Sequence, residues 1–147
     1  MDGLEVRAYR TSDFPQVKEI LELGNLYWAL SDNAESFRKQ AEERPGSILV
    51  ATVDQRPVGT QIVVESFLPL MFRLAVHPDY RGKGIGKLLL SAGEAYLKAK
   101  GHNHVNILVA AEDADLQGFY RGQGYEPGHN YTWMFKEFDN AQPPELE

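Results

Sequence analysis

Residues Leu70 to Lys100 read LMFRLAVHPDYRGKGIGKLLLSAGEAYLKAK, and the order of chemistry along them decides the fold. Leu70 to Val76 is an apolar run of the length of a buried strand. His77-Pro78-Asp79 is a turn signal. Arg81-Gly82-Lys83-Gly84-Ile85-Gly86 follows and runs straight into a helical pattern. In that pattern Ile85, Leu88, Leu89, Ala92, Ala95, Tyr96 and Ala99 recur at helical spacing. Lys98 and Lys100 suit the negative end of the helix dipole, and Gly101 is a natural residue to end it. Glycines let the backbone take positive φ and approach a ligand closely. The helix behind them offers unpaired N–H groups and a positive dipole end, so the segment makes an anion site suited to a phosphate or pyrophosphate.

Three phosphate loops compete for this segment. The G-x-x-x-x-G-K-[ST] loop fails, because Arg81 stands at its first glycine and Leu88 at its hydroxyl. The G-x-G-x-x-G fingerprint fails from Gly82, which meets Lys87, and from Gly84, which meets Leu89. The pattern [QR]-x-x-G-x-[GA] fits, on Arg81, Gly84 and Gly86. Arg81, Lys83 and Lys87 add a local phosphate clamp.

With Leu74-Ala75-Val76-His77-Pro78 before it, this pattern resembles the acetyl-CoA-binding motif of the GNAT superfamily of N-acetyltransferases. A second stretch, Asp113-Ala114-Asp115-Leu116-Gln117-Gly118-Phe119-Tyr120-Arg121-Gly122-Gln123-Gly124-Tyr125, resembles that family's other signature, N-x-x-A-x-x-F-Y-x-x-x-G-F. Phe119, Tyr120 and Gly124 fit it. Asp113 stands for its Asn, Leu116 for its Ala and Tyr125 for its last Phe. The specific likeness runs from about Leu74 to Tyr125, while the order of elements agrees over nearly the whole chain.

Composition sets the outer limits. The chain has 147 residues, enough for one domain with a core, with 43% hydrophobic and 24% charged residues. A net charge of −6 disfavours binding a polyanion through the overall field, so nucleic acid is not an expected partner. No stretch approaches a membrane span, and MDGLEVRAYR lacks a signal peptide's basic flank and apolar core. There is no cysteine, hence no thiolate ligand and no cysteine nucleophile. These features fit the cytoplasm.

Taken in order, Leu4 to Ala8 alternates as a strand, and Thr11-Ser12-Asp13 with Pro15 opens a helix that Gly24-Asn25 ends. Ser31-Asp32-Asn33 caps a second helix to about Arg44. Ser47 to Val53 and Pro57 to Ser66 form a hairpin around Asp54-Gln55-Arg56, with Gly59 a bulge or close approach. After the central strand and helix come a short strand, Val105 to Val109, and a helix through Leu116, Phe119 and Tyr120. A last strand is expected over Tyr131 to Phe138, with Trp133 and Phe135 facing the core. Residues 1–138 make one domain and 139–147 a loose tail. The fold class is α+β: a mixed sheet, mostly antiparallel with one parallel pair, flanked by helices.

The resemblance implies acyl transfer from acetyl-CoA to an amine, such as a small molecule or a protein N-terminus. It implies coenzyme contacts from Leu74, Ala75, Val76, Arg81, Gly82, Lys83, Gly84, Ile85, Gly86, Lys87, Asp113, Phe119 and Tyr120. It implies backbone donors near Leu74 to Val76 for the developing oxyanion, where the parallel pair splays apart. It assigns Tyr120 as the acid that protonates the leaving thiolate. Thiol and phenol reference pKa values of roughly 8.5 and 10 make that transfer feasible. An amine of pKa roughly 10.4 must also lose a proton, and Glu65, Glu112 and Asp113 are the candidate bases. Tyr27, Trp28 and Glu65 are the candidate acceptor contacts, with the segment from His129 to Trp133 beside them. The histidines show no metal-ligand spacing, so no metal is expected. Without cysteine, transfer is direct, in a ternary complex. Many relatives dimerise, which implies a homodimer. A non-catalytic CoA-binding sensor or subunit is the alternative on the same fold.

Overall fold

The computed structural model describes residues 2–139. Its elements are β1 (Leu4–Ala8), α1 (Phe14–Leu23), α2 (Ala34–Glu43), β2 (Ile48–Val53), β3 (Arg56–Val64), β4 (Leu70–Val76), α3 (Ile85–Ala99), β5 (Asn106–Ile107) and α4 (Ala114–Gly122). The strands lie in the order β1-β2-β3-β4-β5. The first three pairings are antiparallel and the last is parallel, which is the mixed sheet expected.

The sheet is covered on both faces, and β2 and β3 are accordingly buried along most of their length. On β2, Leu49 and Ala51 join Leu89, Leu90 and Leu97 of α3. Their neighbours Ile48 and Val50 join Val17, Ile20 and Leu21 of α1 and Phe37 of α2 on the opposite face. The α3 stripe differs from the sequence expectation. Ile85, Leu89, Leu90, Gly93 and Leu97 are buried, whereas Leu88, Ala95 and Ala99 are exposed. Small alanines carry too little apolar surface to fix which way a helix turns; Leu89, Leu90 and Leu97 decide it together, and their shared face leaves Leu88 outside.

Local chemistry sets the ends. Asp13 leaves α1 uncapped and binds backward instead, accepting Arg10 N–H at 2.8 Å and the Arg7 guanidinium at 2.7 and 2.8 Å. Asn33 caps α2 by accepting Ser36 N–H at 2.9 Å. Asp54 and Gln55 both take positive φ, 49° and 71°, as a two-residue hairpin turn requires. At Gly59 a Cβ would lie 3.0 Å from Leu89 Cδ1 and 3.3 Å from the Ala75 carbonyl oxygen, so this is a close approach.

Two features of β4 shape the surface around its C-terminal end. Thr60 pairs with Ala75 and Ile62 with Phe72, so Gln61 opposes both Arg73 and Leu74. The extra residue is a bulge, and Arg73 sits in it with φ 59°. Met71 and Leu74, three apart, therefore pack into the same core. Pairing with β5 holds only at Leu70–Asn106 and Met71–Ile107. The expected strand from Val105 to Val109 is thus two residues long.

The expected last strand is corrected. Tyr131 to Phe138 has no strand pairing among the described residues, and Trp133 and Phe135 are 65% and 61% exposed rather than facing the core. Alternating rings predict a strand only if a neighbour strand is there to pair with. Residues 140–147 of the expected tail lie outside the described residues. No helix among the described residues is long and apolar enough to cross a membrane.

Candidate active site

The turn that ends β4 presents backbone to solvent. His77 Nδ1 accepts Asp79 N–H at 3.1 Å, which tightens a 3₁₀ turn over Pro78–Tyr80. Gly82 and Gly84 follow with φ 75° and 81°, a region that L side chains enter at a cost. A Cβ at either would meet nothing within 4 Å, so their conformation, not crowding, calls for glycine. Leu88 N–H is bonded to the Gly84 carbonyl at 3.1 Å. The N–H groups of Ile85, Gly86 and Lys87 come before that first helical bond. Arg81, Gly82, Lys83, Gly84 and Lys87 are all exposed, whereas the Ile85 side chain is in the core. Ile85 therefore has only its backbone to offer a ligand.

Arg81 is held from behind, its Nε donating to the Val76 carbonyl at 3.0 Å. That bond also reports how β4 is oriented. His77 N–H turns toward β3, donating to the Val58 carbonyl at 2.7 Å. Backbone groups alternate along a regular strand, so beyond the bulge Ala75 faces β3 while Val76 faces the β5 side. There β5 has already parted. Of the three expected strand contacts, Ala75 and Val76 lie in the regular stretch beyond the bulge, on alternate sides of β4, and Leu74 lies in the bulge itself.

The second motif closes the other side. A Cβ at Gly86 would lie 3.8 Å from Phe119 Cζ and 4.0 Å from Val76 Cγ2, so α4 abuts the glycine turn. Asp113 caps α4, accepting Leu116 N–H at 3.0 Å. Tyr120 is 9% exposed and packs edge-on against Phe119 and Tyr125, with ring centroids 5.2 and 5.5 Å apart. Burial pushes the Tyr120 phenol above its ordinary value, so it holds its proton at neutral pH. Tyr125 is also pushed up, first by burial and then by Glu94, to which its hydroxyl donates at 2.7 Å.

On the other side of the sheet the connection between α1 and α2 carries Tyr27 and Trp28. The Trp28 ring meets Trp133 at 5.8 Å and Phe135 at 5.4 Å, and those two stack at 5.0 Å. Lys18 Nζ lies 5.3 Å from the Tyr27 ring centre. The segment after α4 and the α1–α2 connection therefore form one aromatic wall. Glu65 is not brought to it. It follows β3 at the end where β4 begins, with His102 Nε2 3.3 Å from its carboxylate. Glu112 is exposed. Among the described residues no three His, Asp or Glu side chains are grouped to hold a metal ion.

The pairing of Arg73 with Asp32 escaped the sequence reading, which set Asp32 among the caps of α2, where Asn33 alone serves. Arg73 Nε lies 3.0 and 3.1 Å from the two Asp32 oxygens, and Asp32 also accepts Trp28 N–H at 2.8 Å. A lone arginine inside the apolar run LMFRLAV was the signal that could have found it.

A mixed sheet whose parallel pair diverges beside a glycine turn and a helix start is the arrangement that the resemblance to acetyltransferases implies. The comparisons agree. Residues 44–127 match the family model described as an acetyltransferase (GNAT) domain. An acetyltransferase of Sodalis glossinidius is 30% identical over 124 residues, covering 84% of this chain and 87% of the relative. One of Yersinia enterocolitica matches at the same identity, over 84% and 88%. The chain belongs to the GNAT acetyltransferase family. Solved structures share the fold. A Trypanosoma brucei acetyltransferase superposes with a TM-score of 0.71 at 22% identity, over 90% of this chain and 99% of that one. AAC(6')-Iy, in complex with the bisubstrate analogue CoA-S-monomethyl-acetylneamine, superposes with a TM-score of 0.75 at 14% identity, over 92% and 99%.

Proposed function

We propose that this acetyltransferase takes acetyl-CoA as donor and passes the acetyl group directly to a primary amine. The observation that carries this reading is the meeting of the two motifs at Gly86. The anion turn, the open face of β4 and the helix bearing Tyr120 converge there. The pyrophosphate lies on the turn from Arg81 to Lys87, held by N–H groups of the glycines and the first turn of α3. The thioester carbonyl lies in the opening beside β4, where Leu74 or Val76 N–H stabilises the oxyanion. The amine nitrogen attacks the carbonyl carbon, the C–S bond breaks, and the thiolate takes the Tyr120 proton.

The proton lost by the amine goes to water. Asp113 is occupied in capping α4, and Glu65 sits beside His102 away from the turn. Glu65 is therefore left out of the proposed site, and Tyr27 and Trp28 are kept as its acceptor wall. Release of thiol from acetyl-CoA with a panel of primary amines tests the reaction. Tyr120→Phe should lower kcat by about tenfold or more while CoA affinity stays within a factor of about three. Equal turnover would remove Tyr120 from the proton transfer. CoA binding with no turnover of any amine would favour a non-catalytic CoA sensor.

A further inference from the structure

We infer that Arg73 binds a carboxylate on the acceptor, and that the acceptor is an apolar α-amino acid rather than a plain alkylamine. The inference rests on the amine acetylation proposed above and narrows its substrate class. Arg73 occupies the bulge of β4, three residues before the strand ends at Val76. Its side chain reaches Asp32, whose side chain is 4% exposed, while that of Arg73 is 24% exposed. Only Nε is engaged, bridging both carboxylate oxygens. Structural arginine–carboxylate pairs frequently set two parallel N–H groups against the two oxygens. Here the two terminal NH2 groups hold no hydrogen bond to any described residue, and neither is a buried orphan. They are open donors in a plane that Asp32 fixes, the arrangement that receives a second carboxylate.

Asp32 supplies the other half. It accepts Trp28 N–H, so one carboxylate positions both the guanidinium and the Trp28 backbone. The Trp28 ring then joins Trp133 and Phe135. Cation and aromatic wall are therefore joined through one buried carboxylate. The chain carries a net charge of −6, so its overall field repels carboxylates and a fixed local donor is needed to hold one. An amine with a carboxylate on one arm and an apolar group on the other meets both features.

Matched acceptors test this with the full chain and acetyl-CoA: L-phenylalanine against 2-phenylethylamine, and L-leucine against 3-methylbutylamine. The acid of each pair should have the higher kcat/KM, by about tenfold or more, mostly through KM. In Arg73→Gln the ratio should fall toward one, with KM for phenylalanine rising more than KM for phenylethylamine. A wild-type ratio at or below one overturns the inference and leaves amine acetylation standing. Loss of both acceptors in proportion in the variant overturns it too, because a mere staple acts that way. Should the variant fail to fold, tryptophan fluorescence of the wild-type protein with CoA decides. N-acetyl-L-phenylalanine binding tighter than N-acetyl-2-phenylethylamine supports the inference, and equal or weaker binding overturns it. That titration needs no turnover, so it stays decisive even if every amine fails as an acceptor and the amine reading falls.

Discussion

Gly84 caps α3 with φ 81°, and a Cβ built there meets nothing within 4 Å. Alanine, asparagine and glutamate at this position therefore share one source of folding cost, a left-handed backbone, and not a steric clash. For an ordinary residue it is about 1–2 kcal/mol. A less flexible unfolded chain returns roughly 0.4–1 kcal/mol. The alanine variant should lose about 1 kcal/mol, or roughly 2–4 °C in Tm for a chain of this size. Asparagine visits this region more readily and should lose less. Glutamate gains about 0.3–1 kcal/mol from the helix dipole, so it should be no less stable than alanine.

Binding should reverse that order. At about 6 Å and an effective dielectric of ~20–40, a carboxylate opposes each phosphate charge by roughly 1.4–2.8 kcal/mol. Two such charges predict CoA binding about 100-fold weaker or more in the glutamate variant than in the alanine one. Thermal unfolding followed by tryptophan fluorescence gives the first order, and calorimetric titration with CoA gives the second. The binding gap should narrow from 0.1 M to 1 M salt, as the screening length falls from about 10 Å to 3 Å. If the glutamate variant binds CoA within a factor of about three of the alanine variant, the pyrophosphate does not lie on this turn.

Other perturbations test other contacts. At Gly93 a Cβ would lie 2.6 Å from Met71 Sδ and 3.1 Å from Gln61 Nε2. Overpacking of about 1–3 kcal/mol should outweigh a helix-propensity gain of ~1 kcal/mol, so Gly93→Ala should lower Tm, and a higher Tm would show that α3 has slack over β4. Burial pushes the Asp13 carboxyl up, but hydrogen bonds from Arg7 and Arg10 and their charges pull it further down, to a net value below the ordinary one. The stability it supplies is present above the unfolded carboxyl pKa, about 3.9, and is lost as pH falls through the lower folded value. Asp13→Asn should flatten the acid limb of a stability–pH curve, and an unchanged limb would exclude this pair. Arg81→Ala should weaken CoA binding by an amount that shrinks as salt rises, and a loss independent of salt would assign Arg81 a packing role.

The strand, glycine turn and helix around Arg81 to Gly86 were legible because each breaks pattern in its own way. Glycine spacing, apolar run and helical period all point to one arrangement there, and Phe119 meeting Gly86 joins the second motif to it. The bulge at Arg73 was not legible. LMFRLAV reads as seven evenly alternating positions, and a bulge depends on what the neighbouring strand, here Gln61, must accommodate. The same dependence misled the reading of Tyr131 to Phe138, where strand-like alternation lacks a described partner strand. Sequence order alone also does not say which end of β4 Glu65 borders; it lies where that strand begins, beside His102. Arg73 and Asp32, 41 residues apart, meet only through the fold.

Two rungs alone join β5 to the rest of the sheet. Everything beyond that seam, including α4 and its tyrosine, is attached to the antiparallel part by side-chain packing instead of a continuous ladder. A ligand seated in the gap would act as the keystone between the two parts. The energy it contributes would then go first into closing them together. A chain built this way leaves part of its sheet unzipped beside the glycine turn, where a guest meets free backbone instead of a neighbouring strand.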